Sequence, residues 1–301
     1  MQKDLTRRVN LSHIRVVVVG REYAESGIDE LLEWIKIAPP FHLDIILLAA
    51  PGKAKEIGKL TPLFEQLPSE VLTRFFTQYS MLRTDARRSL MTDLSGEGFA
   101  LPYLSITDKP GFFQGKTKTT ERWVGIQGAA LFQDKKLRST LPLKEARALT
   151  WALEQLKVPV YTVTWNEGKN RASVRLTKVR SKRSARITKE GPEFTVKLIG
   201  RADILALHTE KHQDSLETNK QIEAGLDKQV GNDLRKALAA TKKAGVDVLR
   251  LGSLLDWSYP RLWSELGPQW KDYYRSNAKI DVMTDIKIQN IGDELVEVET
   301  N

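Results

Sequence analysis

A long stretch from Val158 to His208 constrains the fold more than any other part of the sequence. Apolar and polar residues alternate along it, and the alternation is interrupted at "NEGKN" and at "KEGPE". A period of two is typical of strands with one buried face, and clusters of glycine with asparagine or proline mark turns. The stretch therefore predicts an antiparallel β meander.

The segments on either side of the meander add helices and further strands. Before it, "WVGIQGAALFQDKKLRSTL" has two strand-like runs around a turn, and "PLKEARALTWALEQLK" has helical spacing. After it come a long helix between Asp214 and Gly245, a Trp-rich helix and the alternating run "IDVMTDIKIQNIG". Hairpin, helix, meander, long helix, Trp-rich helix and closing strand predict one α+β unit over residues 123–301.

The Trp-rich segment "YPRLWSELGPQWKDYY" has the spacing of an amphipathic helix. Its aromatic and aliphatic residues recur at intervals of three or four, while its charged residues lie off that stripe. Gly267 and Pro268 interrupt the period, which predicts two short helices that meet at a bend. We interpret the stripe as structural core and not as a stacking surface for a ligand; its core residues are Tyr259, Trp263, Leu266 and Trp270.

The first third of the chain predicts a second unit with parallel strands. "HIRVVVVG" and "LDIILLAAPG" are short apolar runs typical of buried strands, and a helical segment joins them. Near residues 107–122 the composition changes to proline, glycine and threonine, which indicates a boundary or a long loop. We therefore divide the chain into residues 1–110, a linker at 111–122 and residues 123–301. The fold class is α+β, with two units of mixed or antiparallel sheets flanked by helices.

No set of residues in the sequence carries recognisable catalytic, cofactor or metal chemistry. The chain has no cysteine, and "GKAKEIGK" has the wrong glycine spacing for a phosphate-binding loop, with Leu60 where Ser or Thr would bind magnesium. His208 and His212 are four residues apart, but no third ligand follows at a telling spacing, so polar surface is the favoured interpretation. We predict no catalytic, cofactor-binding or metal-binding residue, no small-molecule substrate and no enzyme activity.

Positive charge is concentrated in the meander. Residues 165–201 contain eleven Lys or Arg and three Glu, and most of the formal net charge of +9 of the whole chain therefore lies in this stretch. Such a stretch can bind anionic lipid, nucleic acid or an acidic protein, or it can solvate an outer sheet face. Nucleic acid is the alternative partner, weakened because only Trp165 and Phe194 offer rings for stacking. The candidate residues for an anionic surface are Lys178, Arg180, Lys182, Arg183 and Arg186.

Five segments in order resemble one known family. They are "SHIRVVVVGREYAESGIDELLEWI", "LDIILLAAPGKAKEI", "GAALFQDKKLRSTLPLKEARAL", "DVLRLGSLLDWSYPRLWSELGPQWKDYY" and "IDVMTDIKIQNIG". Together they resemble the Ger(x)C family of spore germination lipoproteins over nearly the whole chain. The positions that carry the resemblance are Gly20, Arg21, Glu22, Ala24, Ile28, Gly52, Lys53, Ala54, Gly128, Ala130, Phe132, Lys136, Leu137, Asp247, Gly252, Trp263 and Trp270.

The resemblance implies a non-enzymatic subunit of a spore nutrient germinant receptor. It further implies a lipid-tethered location at the outer face of the spore inner membrane, and two membrane-embedded subunits as partners. The family's signal peptide, lipid-acceptor cysteine and opening segment have no counterpart in the sequence. We therefore expect the strand "HIRVVVVG" to lack a neighbour and a longer chain to be more stable.

Overall fold

The computed structural model describes residues 14–37, 42–60, 67–78, 82–94, 96–110, 120–210 and 215–291. Contacts divide the chain into two units: Met1–Leu143 with Ala244–Val248, and Lys144–Lys243 with Leu249–Asn301. Each unit is built on its own sheet, of five and of four strands. Two mixed sheets flanked by helices confirm the predicted α+β class.

The first unit contains a mixed sheet with the order β1-β2-β3-β4-β5. Strands β1, β2 and β3 pair in parallel, whereas β4 pairs antiparallel with both β3 and β5. Because β1 and β2 are covered on both faces, both are nearly continuous apolar runs. The strands are β1 (Val16–Val19), β2 (Ile46–Ala49), β3 (Phe99–Pro110), β4 (Thr120–Gln133) and β5 (Lys136–Pro142). The helices are α1 (Arg21–Ser26), α2 (Asp29–Ile37), α3 (Pro68–Gln78) and α4 (Ala86–Leu94), with a 3₁₀ helix at Ala54–Lys59.

The structure corrects the predicted division of the chain into 1–110, 111–122 and 123–301. The hairpin of β4 and β5 belongs to the first sheet, because β3 pairs with β4 along its whole length, from Phe99 opposite Phe132 to Pro110 opposite Thr120. The stretch rich in proline, glycine and threonine thus joins two strands of one sheet. Residues 111–119 of the predicted linker lie outside the described residues.

A short segment after the long helix also belongs to the first unit. Val246 and Asp247 within it are buried, at 0% and 2% exposure. A Cβ atom at Gly98 would lie 2.3 Å from Val246 Cγ1, so the two residues are packed as closely as their atoms allow. The segment 244–248 is therefore part of the core built by residues more than a hundred positions earlier in the chain.

The second unit contains a sheet with the order β6-β7-β8-β9. The meander is antiparallel as predicted, and β9 closes the sheet parallel to β8. The strands are β6 (Val160–Trp165), β7 (Asn170–Thr188), β8 (Gly191–His208) and β9 (Lys279–Ile291). The helices are α5 (Leu143–Ala152), α6 (Ser215–Ala244), α7 (Leu251–Ser258), α8 (Pro260–Leu266) and α9 (Trp270–Ser276), with a 3₁₀ helix at Gly267–Gln269.

The predicted aromatic stripe is only partly core. Trp270 is buried at 3% exposure, and its ring lies 5.9 Å from Phe194 and 5.5 Å from Trp263. Tyr259, Trp263 and Leu266 are half-buried instead. The 3₁₀ turn at Gly267–Gln269 breaks the helical phase, so that α8 and α9 no longer present one continuous face. The bend itself was predicted.

Side chains of α6 cover the outer edge of β9. Asp227 Oδ1 accepts from the Ile286 amide at 3.2 Å, and Glu223 Oε1 accepts from the Ile288 amide at 2.9 Å. The Arg235 guanidinium donates to the Val282 carbonyl at 3.2 Å. An edge whose amides and carbonyls are already bonded cannot pair with another strand.

We expect Asp227→Asn to become more stabilising, relative to wild type, as pH rises. Burial raises the pKa of Asp227, although its hydrogen bonds to Thr284 and Ile286 act in the opposite direction. The pKa of Asp227 is therefore higher in the folded protein than in the unfolded chain. The protonated acid stabilises the fold fully below the unfolded pKa, and this stabilisation is lost as pH rises through the folded pKa. Asn stays neutral and keeps an oxygen acceptor for Ile286. Urea unfolding of both proteins near pH 4 and near pH 7 measures the difference, and a difference that does not change with pH would contradict the prediction.

Candidate functional site

A β-bulge in β7 decides which basic side chains share a face. Before the bulge, Ala172, Val174 and Leu176 are buried on the helix-covered face of the sheet. Leu176 pairs with Ala202 and Lys178 with Arg201, so Thr177 is an extra residue without a partner of its own. A bulge shifts the alternation of the strand by one position. The even-numbered residues that follow it therefore lie on the outer face.

Four of the five predicted contact residues share that outer face. Arg180 pairs with Ile199, Lys182 with Lys197 and Arg186 with Glu193, and these partners alternate with the buried residues of β8. All four basic side chains, Lys178 included, are exposed. We call this surface of the second sheet the outer basic face. It comprises the outward side chains of β6 to β9.

Arg183 does not belong to the outer basic face. It pairs with Val196, which is buried on the opposite side of the sheet, and its guanidinium donates to the Leu249 carbonyl. The sequence analysis grouped it with Lys182, but neighbours in a strand point to opposite faces. Its position corrects the predicted set from five residues to four.

The outer basic face includes cations that the sequence analysis missed. Strand pairing adds Arg171, Arg175, Lys197, Arg201, Lys279 and Lys287 to the four predicted residues. The acidic residues that the described strands place there are Glu193, Asp203, Asp281 and Asp285. The cations outnumber these acidic residues, so positive charge dominates the face. The added cations come from three strands, and their proximity depends on strand registers that no local sequence pattern reveals.

Ion pairs neutralise part of the outer basic face and leave its centre free. Arg186 bonds Glu193 at 2.7 Å, and Lys197 lies 3.1 Å from Asp285. At the rim, Lys279 pairs with Glu190, which lowers the pKa of Glu190 and raises the pKa of Lys279. Lys178, Arg180 and Lys182 have no acidic partner within 4 Å in the part of the chain that the structure describes.

The backbone beneath these three cations is fixed from the buried side. Trp151 is fully buried, and its Nε1 donates to the Arg180 carbonyl at 2.9 Å. Glu154 Oε1 accepts from the Ser181 amide at 3.1 Å. A Cβ atom at Gly200 would lie 3.0 Å from the Trp151 ring, so a larger residue there would displace the indole. Helix α5 and the turn that follows it therefore hold β7 where its even-numbered residues face solvent.

The described residues include no group of three or more His, Cys, Asp or Glu placed to hold a metal ion. His208 is the last residue of β8, and His212 lies outside the described residues. A cleft of about 610 Å³ beside the helices of the second unit is lined by Arg235, Lys242, Tyr273 and Lys279 among others. Burial raises the pKa of Tyr273 there. No helix in the described part of the chain has the length and apolarity needed to cross a bilayer.

Two family models match the chain. The model described as "Spore germination B3/ GerAC like, C-terminal" matches residues 127–292. The model described as "Spore germination protein N-terminal domain" matches residues 1–106. Together they cover nearly the whole chain.

Sequence and structure comparisons point the same way. "Spore germination protein KC" of Bacillus subtilis (strain 168) is 23% identical over 302 residues, which is 96% of this chain and 74% of the relative. "Putative spore germination protein YfkR" of the same strain is 22% identical over 298 residues, 97% of this chain and 75% of the relative. The crystal structure of the GerBC protein superposes with a TM-score of 0.70 at 15% identity, covering 97% of this chain and 82% of that one.

Proposed function

Because the chain belongs to the GerAC-like family of spore germination proteins, we propose that it is a non-enzymatic subunit of a spore nutrient germinant receptor. In this role it scaffolds or couples the membrane-embedded subunits during germination. Its place is the outer face of the spore inner membrane, with the outer basic face toward an anionic surface.

The observation that carries the surface contact is the group of Lys178, Arg180, Lys182 and Arg186 on one exposed face. A lysine or arginine close to an anionic bilayer contributes about 1 kcal/mol to binding, and this attraction fades within a Debye length. Alternate residues of one strand project from the same side of the sheet, so β7 presents several such side chains to one surface. Phospholipid head groups are therefore the ligand that we favour.

Nucleic acid is supported less well as the partner of this face. The outward positions of the described strands carry no Phe, Tyr or Trp, and His208, opposite Arg171, is the one ring that they offer to a base. Mostly phosphate contacts would remain, and these carry no sequence specificity.

Vesicle co-sedimentation tests the surface contact. We expect the wild-type chain to pellet with vesicles rich in phosphatidylglycerol at low salt, and not with phosphatidylcholine vesicles. Changing Lys178, Arg180, Lys182 and Arg186 together to Gln should weaken binding by about tenfold or more, because each lost charge removes part of the attraction. Binding should also fall at high salt.

A charge-matched control separates this face from net charge. Lys220, Lys236, Lys243 and Arg261 are exposed residues of the same unit that lie on helices. Changing these four to Gln removes the same charge and should leave most of the binding. Equal pelleting of the wild type and the strand variant would mean that the outer basic face only solvates the sheet. Co-purification with membrane-embedded receptor subunits from spores tests the receptor assignment separately.

A further inference from the structure

The two edge strands of the second sheet differ in whether side chains bond their outward backbone groups. Side chains of α6 bond the outward amides and carbonyls of β9, as described above. The opposite edge is β6, whose sequence "VYTVTW" contains no charged residue, no proline and no glycine. Proteins usually protect an exposed edge with a charge, a proline or a bulge. Strand β6 has none of these.

The outward backbone groups of β6 can be assigned from two hydrogen bonds. The Pro159 carbonyl accepts from the Leu176 amide, so residue 159 faces β7. The Val160 carbonyl accepts from Arg147 Nη2 at 2.9 Å, so residue 160 faces away from β7. Because an antiparallel strand alternates in this respect, Thr162 and Thr164 direct their amides and carbonyls outward. Both residues are exposed, and none of the described residues bonds those groups.

An open pocket of about 510 Å³ adjoins the end of β6. Trp165, Gln221, Gly225 and Lys228 line it. Trp165 Nε1 and Gln221 Oε1 are buried and have no hydrogen-bond partner within the described residues. A side-chain amide both donates and accepts, so it can bond this donor and this acceptor once the two side chains turn toward the pocket. The pocket therefore provides an end anchor for a strand that lies along β6.

Positive charge on β7 indicates that a strand added along β6 carries acidic side chains. Arg171 pairs with Thr164 and Arg175 with Val160, so both arginines share the outer basic face with β6. A strand added at the edge would lie two strand spacings, roughly 10 Å, from β7. Long arginine side chains reach acidic side chains at that range. Antiparallel pairing of β6 with a second copy would instead bring two sets of these arginines together, which disfavours a homodimer at this edge.

We propose that β6 binds an extended, acidic segment of another polypeptide by strand addition. Backbone groups of Thr162 and Thr164 pair with the segment, Arg171 and Arg175 attract its outward carboxylates, and the pocket at Trp165 and Gln221 takes an amide side chain. Strand addition provides affinity through main-chain hydrogen bonds and selectivity through alternate side chains. The proposal does not require the outer basic face to touch lipid.

Fluorescence anisotropy with synthetic peptides tests the proposal on the full chain. The probe is a short labelled peptide in which Glu alternates with Thr and Val and which ends in Gln. Two further peptides carry N-methyl groups, one on the Glu residues and one on the residues between them. We expect one of the two methylated peptides to bind more weakly by about tenfold or more, because blocked amides cannot pair, while the other binds like the probe.

Two variants of one residue locate the binding on the protein. Thr162→Pro removes an outward amide hydrogen, a loss that an edge strand tolerates. It should reduce peptide binding to the level of the methylated peptide. Thr162→Val keeps the amide and should bind as the wild type does. Circular dichroism melting checks that both variants fold, and the methylated peptides test the unaltered chain.

Three outcomes would overturn the proposal. Equal affinity for all three peptides would reduce the effect to charge alone. A peptide with Lys in place of Glu that binds equally well would remove the acidic partner. A wild-type dimer in analytical ultracentrifugation that Thr162→Pro dissociates would make a second copy of the chain the occupant of the edge.

Discussion

Replacing Trp270 with Ala is expected to lower the free energy of unfolding by about 3 to 5 kcal/mol, the usual cost of removing a large buried aromatic side chain. Its indole is buried at 3% exposure among Phe194, Trp263, Tyr273 and Tyr274, with ring centres 5.5 to 6.0 Å away. The change removes contacts with all four rings and leaves a cavity that the fixed sheet cannot close. Urea unfolding followed by circular dichroism measures the loss.

Trp257→Ala is the matched control for that experiment. Trp257 lies on α7 and is 84% exposed, so its removal creates no cavity. We expect a change within about 0.5 kcal/mol, which is normal for surface positions. Trp263 is half-buried and should give an intermediate loss. An unfolding midpoint that Trp270→Ala leaves unchanged would show that the ring cluster does not stabilise the second unit.

The second large effect is expected for Gly128→Ala in the first unit. A Cβ atom at this position would lie 1.7 Å from the Leu141 carbonyl oxygen and 2.9 Å from its carbonyl carbon. Both obstacles are backbone atoms of β5, the strand that pairs with β4, so no side chain can rotate away. Strain of this kind costs about 3 kcal/mol. Thermal melting and urea unfolding should both show the loss.

Gly125→Ala provides the comparison within the same strand. Its added Cβ would meet only the Ser105 hydroxyl, at 3.0 Å, and that hydroxyl can turn to another rotamer. The variant should therefore stay within about 1 kcal/mol of the wild type. If Gly125→Ala destabilised the protein as much as Gly128→Ala, a general loss of glycine flexibility would explain both, and the backbone contact would not.

Local patterns in the sequence were sufficient where neighbouring elements in the chain also pair in space. The apolar runs of β1 and β2 predicted a parallel pair, and Val16 lies opposite Ile46. The alternation of β7 and β8 predicted the meander. Hairpins and short crossovers are specified by adjacent residues, so a period and a turn signal identify them.

Long-range pairing decided the features that the sequence could not predict. A loop rich in proline and glycine looks the same whether it separates domains or joins β3 to β4, and only the pairing of Phe99 with Phe132 distinguishes the two. In the candidate site, the bulge at Thr177 sets the side of the sheet on which each basic residue lies. Nothing in the local composition marks Thr177 as an unpaired residue, so the buried positions before it do not reveal that Lys178, Arg180, Lys182 and Arg186 lie on the outer face.

The segment 244–248 has a consequence for synthesis on the ribosome. Residues up to Leu143 emerge first, yet the core that they form also needs Val246 and Asp247, which emerge after α6. At bacterial elongation rates the delay between these points is on the order of 5 to 20 s. During that interval the nascent first unit exposes the apolar surface around Gly98 that Val246 later covers. The N-terminal unit of this protein is therefore completed only after residue 248 has been synthesised, and until then its exposed surface is a site at which chaperones can act on the growing chain.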